Sequence, residues 1–91
     1  MKITEKDLTR FAAALRAEER SPATIEKYCR EAARFAGWLK GRAADRALSL
    51  AYGAELCEQR APAGDNGAVA ALNRFFDLLG LGECRLKAVR V

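Results

Sequence analysis

The residues in this chain whose types and spacing could do chemistry are those that hold anions. Arg20-Ser21-Pro22-Ala23-Thr24 places a guanidinium and two hydroxyls around a helix start, and Lys27, Arg30 and Arg34 follow at spacings of three and four. On a helix turning about 100° per residue, those three cations lie within about 60° of one another and span roughly 10 Å. Backbone N–H groups and the positive end of the helix dipole favour an anion at such a start, and Thr24 adds a hydroxyl donor. Hydroxyls, backbone N–H groups and cations converging on one place are the usual means of gripping a phosphate. Two readings of the row stand from the residues alone. One is a phosphate-binding face; the other is a solvated face laced by Glu26–Arg30 and Lys27–Glu31 pairs, each worth a few tenths of a kcal/mol.

Groups that break bonds are scarce. The chain has no histidine, and its three cysteines, Cys29, Cys57 and Cys84, are far apart without a C-x-x-C. They read as buried free thiols in a reducing compartment. No convergent acid, base and nucleophile set is visible. No catalytic residue, metal ligand or cofactor site is expected.

The elements that must position the cations are helices. Ninety-one residues suit one domain, and the net charge of +4, from sixteen Lys/Arg against twelve Asp/Glu, permits a polyanionic partner without requiring one. Hydrophobic residues make up 51%, but nineteen are alanines, so the large apolar side chains must share one centre. Thr4 caps a first helix, "TEKDLTRFAAALRAEE", with Leu8, Phe11, Ala12 and Leu15 on its buried face. Ser21-Pro22 starts the second helix, whose stripe is Ile25, Tyr28, Ala32, Phe35 and Leu39, and Gly41 ends it in a left-handed cap. A third helix runs from about Ala47 to Gln59, with Leu48, Tyr52 and Leu56 sharing a face and Gly53 inside it. "RAPAGDN" reads as a break, and Asp65 or Asn66 as the cap of a fourth helix ending at Gly80. That helix is apolar around most of its girth, through Val69, Leu72, Phe75, Phe76, Leu78 and Leu79, and belongs at the centre of the bundle.

In order and spacing, "SPATIEKY", "FAGWL" and "AALNRFF" resemble the N-terminal core-binding domain of tyrosine recombinases, the phage-integrase family. The resemblance rests on Ser21, Pro22, Thr24, Ile25, Tyr28, Phe35, Trp38, Leu39, Ala70 to Asn73, Phe75 and Phe76, and covers essentially the whole chain. It implies an all-α, four-helix SAM-like bundle that grips one face of a recombination site. A C-terminal catalytic domain would close around the other face, and further protomers would assemble on the DNA. It also implies that the second and fourth helices approach the duplex, with Thr24 near a phosphate, Lys27 on the DNA side and Asn66 beginning the fourth helix. Gly64 stands where the family carries a threonine, and Asp65 replaces an apolar residue, which weakens the fourth helix's share. The family's catalytic tyrosine, arginines, lysine and histidines belong to the C-terminal domain; Tyr28 and Tyr52 fall on apolar helix faces and read as core.

The expectation is therefore a non-catalytic double-stranded-DNA-binding domain over residues 1–82, holding DNA through Arg20, Ser21, Thr24, Lys27, Arg30, Arg34 and Asn66. Residues 83–91, with Arg85, Lys87 and Arg90, read as a basic linker toward the catalytic half. The alternative is a helical protein–protein interaction module. Trp38 is expected to cover the core edge rather than stack on bases. Without a signal-peptide core or an apolar run of about 20 residues, no membrane partner is expected and the setting is cytoplasmic, on the nucleoid when DNA is bound.

Overall fold

The computed structural model describes residues 2–59 and 62–86, with the side chains of residues 57–66 outside that description. Its four helices are α1 (Glu5–Ala17), α2 (Pro22–Leu39), α3 (Arg46–Gln59) and α4 (Pro62–Leu79), followed by a 3-10 turn, Gly82–Cys84. The all-α four-helix bundle expected from the sequence is the fold. None of the described helices is long and apolar enough to cross a membrane.

The first three helices start where a polar side chain satisfies their first N–H groups. Thr4 and Asp7 form a reciprocal capping box on α1: the Thr4 N–H donates to Asp7 Oδ2 at 2.9 Å, and the Asp7 N–H donates to Thr4 Oγ1 at 3.4 Å. Ser21 caps α2, with Pro22 in the first turn. Asp45 opens α3 by accepting from the Leu48 N–H at 2.8 Å. The fourth helix corrects the sequence expectation. It begins at Pro62, so Asp65 and Asn66 lie within it rather than ahead of it, and neither is its cap. Proline needs no N–H partner in a first helical turn and favours a helical φ, so "PAGDN" opens the helix it was expected to precede.

The ends of α2 and α4 are left-handed. Lys40 (φ 50°) and Gly41 (φ 83°) turn the chain after α2. Gly80 (φ 73°) ends α4 while the Leu81 N–H reaches back to the Phe76 carbonyl at 2.8 Å. That six-to-one bond is a Schellman closure, and the glycine makes its backbone conformation inexpensive.

The core has two joined centres. Phe11, Leu15, Ala32 and Phe75 form one, with the Phe11 and Phe75 rings 4.9 Å apart. Phe35 anchors the other, against Phe76 (5.4 Å), Tyr52 (5.1 Å) and Trp38 (6.2 Å, nearly parallel). Residues of α4 enter both centres, and it packs against the other three helices and the 3-10 turn. Its central place follows from its wide apolar girth.

The chain after α4 departs from the linker reading. Leu81, Cys84 and Leu86 are buried in the second centre. Asn73 grips the backbone of Leu86 at both ends: its Nδ2 donates to the Leu86 carbonyl at 2.7 Å, and the Leu86 N–H donates to its Oδ1 at 2.6 Å. Leu86 also lies over Gly53, where a β-carbon would come within 3.3 Å of Leu86 Cδ2. Gly53, a weak point in the α3 pattern, is thus where this strap crosses the helix closely. Residues 83–86 belong to the folded unit, while residues 87–91 lie outside the described ones.

Candidate nucleic-acid interface

The start of α2 is exposed, and its cap consumes much of the anion-binding capacity the sequence suggested. Ser21 Oγ accepts from the Thr24 N–H at 3.2 Å, and the Ser21 hydroxyl donates to Thr24 Oγ1 at 2.9 Å. The Ile25 N–H bonds the Ser21 carbonyl at 3.0 Å, and Pro22 has no N–H. Ala23 therefore keeps the one N–H of this first turn that has no protein partner among the described residues. The Thr24 hydroxyl hydrogen also lacks an acceptor there. Two donors, rather than a row of them, face solvent at the positive end of the dipole.

The cations divide into three situations. Arg20 sits over the Tyr28 ring at 5.7 Å and reaches Glu18 Oε1 with Nη2 at 3.3 Å. Lys27 and Arg30 are exposed and make no ion pair among the described residues. Arg34, also exposed, lies 3.8 Å from Glu31 Oε1, and Glu31 is only 4% exposed. The solvated-face reading set Glu31 on the surface as a partner for Lys27, whereas its carboxylate is tucked into the protein beneath Arg34. Neutralising part of Arg34 costs the row some of its net field.

Lys27 is placed differently from a plain outward cation. A β-carbon on Gly67 of α4 would lie 2.6 Å from Lys27 Nζ and 3.1 Å from Cε. The ammonium thus lies against the backbone of α4, between the two helices that the resemblance directs toward DNA. Since the obstacle is the tip of a flexible side chain, Gly67→Ala should be accommodated by swinging Lys27 aside. Replacing a mid-helix glycine with alanine gains roughly 0.5–1 kcal/mol. Thermal unfolding should show Tm raised by about 4–8 °C per kcal/mol in a domain of this size; a fall in Tm would mean that the Lys27 placement is structural.

Asn66 lies in the backbone of α4, and its side chain is outside the described residues. Trp38 stays with the core edge as expected, 5.2 Å from the Tyr52 ring, and the Arg42 guanidinium covers it at 4.9 Å. Tyr52 is buried and Tyr28 half-buried, both among apolar side chains. Burial pushes the Cys29 and Cys84 thiols up from their ordinary range, which keeps them protonated and weakly nucleophilic.

Sequence reasoning did not find a polar groove of about 290 Å³ beside the start of α2, lined by Arg20, Tyr28, Asn73, Arg74, Asp77 and Arg85. Three guanidiniums from separate stretches meet here. Arg74 binds Glu18 through Nε at 3.4 Å and through Nη2 on Glu18 Oε2, and Arg85 Nη1 contacts both Asp77 oxygens at 2.6 and 2.5 Å. The Arg74 hydrogen bond, aided by Arg20, holds the Glu18 carboxyl below its ordinary range. That depressed titration stabilises the fold above the usual carboxylate range, and the contribution disappears as pH falls through the folded value. Melting curves of the parent and Glu18→Gln should therefore converge on acidification; a gap that widens would give the pair the opposite sign.

Fold and surface together define an all-helical domain with a cationic helix start beside an arginine-lined groove. Comparison of the chain with protein-family models, with curated proteins and with solved structures yields no match.

Proposed function

We propose that this domain binds double-stranded DNA without catalysing chemistry on it, as the core-binding half of a site-specific tyrosine recombinase that integrates or excises DNA. The observation that carries the reading is that α2 is committed on one side to the core and leaves Arg30 on its outer side and Lys27 at the seam with α4 exposed, without ion pairs among the described residues and beside an exposed helix start. Unpaired, hydrated cations are the ones that release counterions when they meet phosphates. Ala23 N–H and the Thr24 hydroxyl fix register at the first turn, Arg20 extends the grip backward, and Lys27, Arg30 and Arg34 extend it along the helix. Lys27, resting against α4, brings the ammonium to the side on which the fourth helix approaches the duplex. Asn66 is retained as a candidate contact from α4 on the strength of the resemblance.

Titration of the chain onto a mixed-sequence duplex across a salt series tests the reading. Affinity should fall steeply as salt rises, and alanine at Lys27, Arg30 and Arg34 together should flatten the slope by about one unit for each phosphate no longer neutralised. Binding unchanged in that triple variant would replace this reading with the helical interaction module. The chain alone should leave supercoiled and linear DNA uncut, because the family's cutting groups belong to a separate catalytic domain.

A further inference from the structure

The groove beside α2 holds more donors than the protein uses. Each guanidinium carries five N–H donors. Among the described residues, Arg20 Nε and Nη1, Arg74 Nη1, and Arg85 Nε and Nη2 have no protein acceptor. The Tyr28 hydroxyl is likewise without a protein partner among the described residues. Against the three guanidiniums stand two carboxylates, Glu18 and Asp77, and Glu18 is shared by Arg20 and Arg74. The side chains of these pairs are between 30% and 51% exposed. Exposed pairs of this sort contribute little to stability, so another anion can take over the arginines at small cost.

We propose that this groove is a second phosphate subsite of the DNA interface, in which Glu18 and Asp77 occupy, in the unbound protein, the places that backbone phosphates take in the complex. The inference rests on the DNA-binding reading and extends it. Arg20 belongs to both places, since it immediately precedes the α2 cap and also lines the groove, so one strand can pass from the helix start to Arg74 and Arg85. Planar guanidiniums suit phosphate oxygens better than ammonium groups do, because they present paired donors in a fixed fork. Arg85 enters the groove only because the strap is docked: Asn73, itself a wall of the groove, clamps the next residue. Phosphate in the subsite therefore favours the docked strap.

The experiment is anisotropy titration of the whole chain onto a mixed-sequence duplex across salt, with melting curves confirming that each variant folds. Arg74→Ala combined with Arg85→Ala should weaken binding roughly tenfold and lower the salt slope by about two units. Glu18→Gln and Asp77→Asn keep all three arginines and remove their internal partners, so each should tighten binding about threefold if the carboxylates compete with phosphate. These two variants carry the test should the arginine variant fail to fold. In parallel, titration with inorganic phosphate should shift the Tyr28 ring resonances in the parent and not in the double arginine variant. The subsite is overturned, with the wider reading intact, if the double arginine variant binds like the parent while the Lys27, Arg30 and Arg34 variant does not. Tightening absent in both carboxylate variants also overturns it. A parent chain that does not bind duplex at all removes both.

Discussion

Phe75→Ala should remove about 3–5 kcal/mol of the domain's stability, a large share of the whole. Phe75 is fully buried, meets Phe11 at 4.9 Å and joins α4 to α1 and α2. Truncating a buried phenylalanine costs about 3–5 kcal/mol, through lost transfer energy and the cavity left behind. A domain of this length has roughly 5–14 kcal/mol in total, at about 0.05–0.15 kcal/mol per residue. Urea unfolding followed by circular dichroism reads the midpoint directly. Phe75→Leu, which keeps most of the volume, should restore much of the loss. An alanine variant losing less than about 1 kcal/mol would show that α1 docks elsewhere.

Stability on this scale bears on function because α2 serves the core and the interface at once. Ala32, Phe35 and Leu39 hold it to the bundle, while Arg30 stands on the outer side and Lys27 at the seam with α4. A weak core would let α2 roll, and the cations would lose their common direction. DNA-binding variants are thus interpretable only where the melting curve is retained. Lys27→Ala and Arg30→Ala meet that condition, since neither cation has an ion-pair partner among the described residues.

The sequence made α2 legible because its signals agree: serine cap, proline in the first turn, an apolar stripe, and glycine after the end. The start of α4 was obscured because Pro62, Gly64 and Asp65 are loop residues by composition, although each is tolerated in or near a first helical turn. The strap was obscured for another reason. Leu81, Cys84 and Leu86 follow the uneven period of a 3-10 turn and an extended residue, which neither helical nor strand periodicity detects. Glu31 broke the rule that charged side chains stay outside; its spacing, three residues after Tyr28 and four before Phe35, sets it beside the apolar stripe, whereas Glu26 lies about 140° away on the outer face. The Lys27–Gly67 approach and the meeting of Arg20, Arg74 and Arg85 join residues distant in the chain, and a charge count along one helix cannot register either.

The strap offers the other large effect. Asn73→Ala should release residues 84–86 from α4 and lower the stability of the whole domain by about 1–3 kcal/mol, the cost of leaving partly buried backbone groups without partners. In the folded protein the Asn73 amide acts as a short piece of neighbouring strand, donating to the Leu86 carbonyl and accepting from its N–H. Alanine removes both bonds together. Aspartate at this position would keep an acceptor for the N–H but set a carboxylate against the carbonyl, so Asn73→Asp should be as damaging as alanine despite its similar shape. Leu86 would then lift from Gly53, uncovering the second core centre near Tyr52 and Leu56. Amide exchange reads this locally: the Leu86 and Cys84 amides should lose protection far more than those of α2. Tm should fall by about 4–8 °C for each kcal/mol of destabilisation. If Leu86 exchange is as slow in both variants as in the parent, the apolar packing of Leu81, Cys84 and Leu86 holds the strap by itself, and Asn73 is only a spectator of it.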